Sequence, residues 1–305
     1  MMRLSRWGRS PYETEADIRL ESDALSEWVQ VQAEGADADI VVIHSKISFG
    51  AAEHKRSPSL KLLITTTSGT DHIDIEYFKA NQISVARLPE ARRDAVVDVT
   101  IAMLIWGLRK MGPMQEAARQ GRWIRGQLSD LRPVGMMGSR IGVVGLGVIG
   151  RRVCEALKPL GVELWGADPL GIPDGVRPAS IAEMVGHCEA LTLHCGLETS
   201  SRNLLSSQVL DGAHPDLVIV NTARGGVLDL PHAIEMARLG RLGAVAVDVF
   251  PEEPWSDMDT ASELSNVMYL PHAAGYHRGL ARSVREGLCT AVEAFVQGKR
   301  VGHLV

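Results

Sequence analysis

The sequence predicts an α/β protein of two domains, the larger built on a doubly wound parallel sheet and the smaller a separate α/β unit. Three observations carry this. Between residues 141 and 272, short apolar strands alternate with helical segments. Strands apolar at consecutive positions are buried on both faces, which requires helices above and below a parallel sheet. A similar alternation occupies residues 39–87, and the 305-residue chain is long enough for both units.

In order, "DIVVIH" (39–44), "KLLITTT" (61–67) and "ISVAR" (83–87) read as strands, each short and rich in β-branched residues. No strand is assigned before residue 38. A helix is expected from Ala95 to Met111, with Gly112 and Pro113 stopping it. A polar, Gly-rich approach leads to the strand "IGVV" (141–144). The segment that follows puts Ile149, Val153, Leu157 and Leu160 at helical spacing. The strand "VELWGAD", a short helix around "IAEMVGHC", and the strands "EALTLHC", "DLVIVNTA", "GAVAVDVF" and "NVMYLPH" come next, with "DLPHAIEMARLG" helical between them. The last stretch is one long amphipathic helix with Leu280, Val284, Leu288, Ala291 and Phe295 on one face, packing on the first domain or on a second subunit.

Composition narrows the function classes. Hydrophobic residues at 45% and charged residues at 23% are the balance of a soluble globular protein. Lys plus Arg number 32 against 37 Asp plus Glu, which argues against a nucleic-acid binder. The basic start has no apolar core, so a signal peptide is not expected. The longest apolar run, "VVDVTIAMLIWGL", is 13 residues with Asp98 inside, too short to span a bilayer. Cys154, Cys188, Cys195 and Cys289 form no CxxC pair or zinc-spaced cluster and read as reduced thiols of a cytosolic protein. His194 and Cys195 are adjacent, but strand neighbours point to opposite faces, so they do not form a nucleophile–base pair.

"IGVVGLGVIGRR" contains GxGxxG as Gly145, Gly147 and Gly150 between a buried strand and an amphipathic helix. Gly145 permits the tight turn, Gly147 lets the backbone approach a pyrophosphate, and Gly150 allows close helix–strand contact. The helix start then aims amides and its positive dipole end at the phosphates. Asp168, at the end of the next strand, suits the adenosine ribose hydroxyls and repels a 2′-phosphate, which predicts NAD over NADP.

Ligands of open parallel sheets bind outside the carboxyl ends of the strands. Arg224 follows "DLVIV", Asp248, Glu252 and Glu253 follow "GAVAV", and His272 follows "VMYL". Reduction of a 2-oxo acid needs a cation to hold the carboxylate and polarise the carbonyl, which arginine's planar fork suits. It needs a proton donor near neutrality, which suits histidine. It also needs an acid to orient and charge that histidine. Arg224, His272 and Glu253 satisfy all three. His277, beyond Gly275, reads as a helix-start or cleft-rim residue.

These pieces, "VVGLGVIG", "VNTARGGVLD", "VDVFPEEP" and "LPHAAGY", resemble the D-isomer-specific 2-hydroxyacid dehydrogenases over residues 39–298. The resemblance implies a Rossmann-type cofactor domain at 95–275, a smaller flavodoxin-like substrate-binding domain at 1–94, and a helix at 276–305 returning to it. It implies Arg224, Glu253 and His272 as the catalytic set and Asp248 as a contact of the nicotinamide carboxamide. It further implies Thr100, Val148, Ile149, His194, Cys195, Gly196, Thr222, Ala223 and Gly275 among the cofactor-lining positions. "TTTSGTDHID" is similar to the family's substrate-carboxylate loop, occupied here by Thr67, Ser68, Gly69 and Thr70, with Thr67 in place of a usual glycine. A cytoplasmic homodimer is implied, with the apolar helix at 95–111 in its interface.

Two fragments, "GTDHID" and "PHAAGY", look like the 4-phosphoerythronate dehydrogenases, in which residues matching Ser45, Thr67 and Tyr276 contact substrate. That subgroup carries a further C-terminal domain, and residue 305 ends this sequence. Arg92 and Arg93 suit a phosphorylated or dianionic substrate, but in sequence they read first as solvated surface charges. Glu253 argues against formate dehydrogenase, which has glutamine there. The absence of a loop lysine argues against phosphite dehydrogenase. A cofactor-sensing, corepressor-like member that keeps the same three residues is the alternative from another class.

Overall fold

A computed structural model describes residues 1–256 and 263–305. The chain divides into two compact units, Met1–Arg93 with Tyr276–Val305, and Asp94–Gly275.

The first unit is a five-stranded sheet of order β2-β1-β3-β4-β5, all pairs parallel: β1 (Arg3–Trp7), β2 (Gln30–Val31), β3 (Ile40–Ile43), β4 (Leu62–Thr65) and β5 (Ser84–Arg87). Alternation along each strand builds two apolar faces. Ile40, Val42, Leu62 and Ile64 meet Leu280, Val284, Leu288, Ala291 and Val292 on one face. Val41, Ile43, Leu63 and Val85 meet Trp7, Phe49 and Phe78 on the other. The final helix, Leu280–Val296, therefore packs its apolar stripe on this unit.

Strands β1 and β2 correct the reading that left residues before 38 without strands. Arg6 sits mid-strand in β1, a residue that ordinarily argues against a central strand. Its guanidinium is neutralised by Glu13 at 2.6 Å and Glu21 at 2.5 Å, so the charge is buried as a triad. Glu21 lies on the helix Glu15–Leu25, which Thr14 and Asp17 start with a capping box.

The second unit is a seven-stranded parallel sheet of order β12-β11-β10-β9-β6-β7-β8. Its strands are β6 (Arg140–Val144), β7 (Glu163–Ala167), β8 (Arg177–Pro178), β9 (Ala190–Leu193), β10 (Val218–Asn221), β11 (Ala244–Val247) and β12 (Val267–Tyr269). The chain runs outward from β6 first through β7 and β8, then from β9 to β12 on the other side. That reversal makes the carboxyl ends of β6 and β9 the topological switch point. Every residue of β9, β10 and β11 is buried, as two-face burial requires.

Three boundaries differ from the sequence reading. The helix expected over 95–111 runs Glu90–Leu108, with Met103, Leu104 and Leu108 in the core of the second unit. Gly112 and Pro113 do not stop it. Lys110, at φ 54°, breaks the run, and a new helix Met111–Arg119 takes Pro113 in its first turn. Gly112 is there for close approach, since a Cβ would lie 1.9 Å from the carbonyl oxygen of Ser265. The helix after β6 ends at Leu157, and Leu160 falls in a 3-10 turn with its side chain exposed. Among the described residues no helix is long and apolar enough to cross a membrane.

Candidate active site

At the switch point, Gly145 leaves β6 at φ +87°, where L side chains are strained. A Cβ there would also lie 2.5 Å from the backbone nitrogen of Cys195. Gly150, inside the helix Val148–Leu157, would put a Cβ 1.9 Å from the carbonyl oxygen of Gly145. Gly147, the N-cap, differs: a Cβ would meet nothing within 4 Å, and no side chain caps the helix. Its exposed backbone and the half-buried Val148 and Ile149 leave room and free amides for a pyrophosphate, so the loop fits a dinucleotide. Asp168, after β7, accepts from the backbone N–H of Leu146 at 2.5 Å and of Leu170 at 2.7 Å. The acid expected at the ribose thus also holds the glycine loop to its own strand end.

After β9, the ring Nε2 of His194 lies 3.0 Å from the Thr192 hydroxyl. Burial pushes its pKa down to about 3 and pushes the Cys195 thiol up to about 11, so near neutral pH one is an uncharged imidazole and the other an unreactive thiol. Gly196 beside them is exposed.

Asn221 closes β10 with its side chain buried. Its Oδ1 accepts from Ala223 N–H and its Nδ2 donates to the Arg224 carbonyl, both at 3.0 Å. Those two bonds shape the turn that delivers Arg224, whose Nη1 donates to the Ala223 carbonyl at 2.7 Å. Thr222 meets Thr100, hydroxyl to hydroxyl at 3.0 Å, both buried. Gly225 runs directly against the next loop, where a Cβ would lie 1.9 Å from the carbonyl carbon of Phe250. Asn221 and Gly225 were in the quoted motif, but nothing in their spacing identified them as the parts that position Arg224.

Glu253 and His272 meet: Glu253 Oε2 is 2.7 Å from His272 Nδ1, and its Oε1 accepts from Phe250 N–H at 3.2 Å. That bond fixes Nδ1 as the inward nitrogen. The Nε2 nitrogen has no hydrogen bond to the described residues. The hydrogen bond to Glu253 raises the His272 pKa above its ordinary value, against burial and the nearby charge of Arg224, and Asp248 adds to the rise. Burial pushes Glu253 up, but the bond and charge of His272 outweigh it and hold the carboxyl below its usual value.

His272 takes φ 53°, the left-handed region that few residues other than glycine enter. Asp248 secures that turn. Its carboxylate accepts from Ala273 N–H at 2.7 Å and Ala274 N–H at 3.0 Å, and its carbonyl accepts from His272 N–H at 2.8 Å. Asp248 is 1% exposed, and burial raises its pKa. Its visible work is to brace the histidine. Gly275 lies in the turn that follows.

In the first unit, Ser45 is exposed in the turn after β3. The loop after β4 is held from within, Thr67 Oγ1 donating to the Gly69 carbonyl at 3.0 Å and Arg87 Nη1 to the Ser68 carbonyl at 3.1 Å. The Thr67 hydroxyl expected on substrate is therefore engaged in shaping its own loop. Arg92 is not a solvated surface charge: its side chain is partly buried and Nη1 donates to the Thr66 carbonyl. Tyr276 is half exposed with its ring 4.8 Å from that of Tyr12. His277 precedes the final helix and binds the Ala91 carbonyl at 3.0 Å through Nε2, a structural contact.

The family model of the D-isomer specific 2-hydroxyacid dehydrogenase NAD binding domain matches residues 101–274, more than half of the chain. D-3-phosphoglycerate dehydrogenase of Methanocaldococcus jannaschii is 29% identical over 243 residues, covering 77% of this chain and 45% of that protein. The chain thus spans less than half the length of that relative. Glycerate dehydrogenase of Methylorubrum extorquens is 25% identical over 92% of this chain and 88% of its own. Glyoxylate reductase 1 of Saccharomyces cerevisiae is 30% identical over 73% and 65%. Among solved structures, an acyclic imino acid reductase in complex with NADPH and D-Arg aligns over the whole of both chains, with TM-score 0.85 and 21% identity. D-lactate dehydrogenase from Aquifex aeolicus, complexed with NAD and lactic acid, aligns with TM-score 0.80 and 21% identity over 97% of this chain and 96% of its own. At that identity the structures establish the shared fold.

Proposed function

Because this chain belongs to the D-isomer specific 2-hydroxyacid dehydrogenase family, we propose that it is an NAD-dependent oxidoreductase interconverting a 2-oxo acid and a D-2-hydroxy acid. The observation that carries the reading is the His272–Glu253 pair at 2.7 Å, with Nε2 unengaged, on the sheet edge that also holds the glycine loop. Bound NADH supplies the hydride. Val148, Ile149 and Gly150 offer amides to its pyrophosphate, and Asp168 selects an unphosphorylated ribose. Arg224 grips the substrate carboxylate and polarises its carbonyl. His272 donates the proton from Nε2 to the oxygen as it gains charge, and Glu253 keeps the imidazole charged and turned the right way. Asp248 acts through the turn it braces.

The first unit serves as the substrate-binding domain and residues 94–275 as the NAD-binding domain. The proposal extends to a cytoplasmic homodimer. Four free cysteines support the compartment, and the largely exposed Trp123 and Met137 support a further protein contact.

His272→Asn tests the reading. Asparagine tolerates left-handed backbone, so the turn keeps its shape while the proton donor is lost. Turnover of 2-oxo acids with NADH should fall at least a hundredfold, the scale of general acid catalysis, with NADH affinity retained. Turnover equal to wild type would sink the assignment. A wild-type protein that binds NADH yet reduces no oxo acid would mark a sensor instead.

A further inference from the structure

We propose that Trp255 is a positioning residue: stacked on Phe250 and packed against Tyr269, it pins the loop that carries Glu253 and so holds that carboxylate on Nδ1 of His272. The inference deepens the oxidoreductase reading above and rests on it for its catalytic consequence.

Every residue involved lies in the second unit. The ring of Trp255 stacks on that of Phe250 at 5.3 Å and 23°, and meets that of Tyr269 at 5.6 Å and 57°. Phe250 and Tyr269 close the triangle at 6.0 Å. Each ring comes from a different arm of the turn that presents His272. Phe250 follows Asp248 after β11, Trp255 follows Glu253 in the loop, and Tyr269 ends β12 just before His272. Phe250 belongs to the core that contains Ile219, Val245 and Val247, and the other two rings pack against it.

Little else holds the loop. Pro251, Glu252, Glu253, Pro254 and Ser256 are exposed, and Trp255 alone of residues 251–256 is half-buried. Between described residues, no backbone-to-backbone hydrogen bond joins residues 250–256 to the sheet. Glu253 is held by Phe250 N–H at 3.2 Å and by His272 at 2.7 Å. Both contacts need the loop folded back over Phe250, and the Trp255 stack is what keeps it there. One ring contact of this kind shifts a local equilibrium by about two- to tenfold, and Trp255 makes two. The Tyr269 hydroxyl is buried without a partner among the described residues, so its ring is what that residue contributes.

The charged groups facing His272 are Glu253, Asp248 and Arg224. Asp248 is buried and tied to the turn by Ala273 and Ala274, whereas Glu253 sits on the exposed loop. Two roles for Trp255 therefore carry opposite signs. If it positions Glu253, its removal releases the carboxylate and makes His272 more acidic. If it merely buries the imidazole, its removal relieves desolvation and makes His272 less acidic.

The test is the titration midpoint of the His272 ring, read by NMR without substrate and assigned from its absence in His272→Asn. Wild type, Trp255→Ala, Trp255→Leu, Trp255→Phe and Glu253→Gln are compared, with melting temperature and kcat for 2-oxo acids with NADH. Trp255→Ala should lower the midpoint in the direction of Glu253→Gln and by no more, with kcat down about fivefold or more. Trp255→Phe, which keeps a ring, should hold the midpoint near wild type. Adding Trp255→Ala to Glu253→Gln should move it no further, because the one acts through the other. Trp255→Leu decides if Trp255→Ala fails to fold. A midpoint that stays or rises, whatever the melting temperature, would make Trp255 a structural anchor only and overturn the proposal. A further downward shift in the double variant would overturn it as well. A lowered midpoint in a protein that reduces no oxo acid would uphold the positioning role and remove the oxidoreductase reading.

Discussion

Gly225→Ala perturbs the catalytic edge without touching any reacting group. A Cβ at 225 would lie 1.9 Å from the Phe250 carbonyl carbon, 2.0 Å from its oxygen and 2.4 Å from Pro251 N. All three are backbone atoms, so no rotamer change can relieve the overlap. Ordinary contact begins near 3.4 Å, so the two loops must separate by about 1.5 Å. Overpacking of this kind costs about 1–3 kcal/mol, which in a unit of this size lowers the melting temperature by roughly 2–12 °C. The functional cost is larger. Arg224 lies on one side of the contact and Glu253 on the other, and Glu253 Oε2 now stands 2.7 Å from His272 Nδ1. A shift of about 1.5 Å carried to either loop breaks that bond or displaces Arg224, and misplacement on the scale of 1 Å costs about a hundredfold in rate. Calorimetry and steady-state kinetics would show both losses. Wild-type kcat/KM with an unaltered melting temperature would refute the reasoning.

Three further outcomes follow from the charged groups of the second unit. Glu253→Gln removes the largest contribution raising His272, leaving only Asp248 to raise it against burial and Arg224. The high-pH fall in oxo-acid reduction should therefore move to lower pH, and an unmoved limb would show that His272 is not the titrating donor. The pair also contributes to stability. The His272 share is complete below its ordinary 6.5 and lost as pH rises through the raised value. The Glu253 share is complete above 4.5 and lost as pH falls through the lowered value. Thermal melts of wild type and Glu253→Gln should differ most between those two values, by about 1 kcal/mol or less because both groups are partly exposed. Asp168→Ala should relax the preference for NAD over NADP and weaken both, since it also frees the Leu146 amide. An unchanged NAD to NADP ratio would show that Asp168 is not on the ribose.

The second unit was legible because its signals are local. Strands β9 to β11 are apolar at every position but Thr192 and Asn221, the three glycines have fixed spacing, and Arg224 and His272 follow strand ends. What was illegible depends on distant partners. Arg6 can lie in a strand only because Glu13 and Glu21 come back to neutralise it. Arg92 has the composition of a surface residue, and only packing against the Thr66 carbonyl distinguishes it. Gly225 needs its missing Cβ because of Phe250, on a separate strand's loop. Asn221 acts on backbone groups, which no residue pattern reveals.

The core of the first unit joins Leu4, Ile40 and Leu62 to Leu280, Leu288 and Val292, from opposite ends of the chain. During vectorial synthesis that sheet face stays uncovered while residues 94–275 are made and fold, an interval on the order of ten seconds or more at ordinary elongation rates. The order of maturation is thus written into the connectivity: the contiguous unit closes first, and the interrupted one waits for its last helix to leave the ribosome.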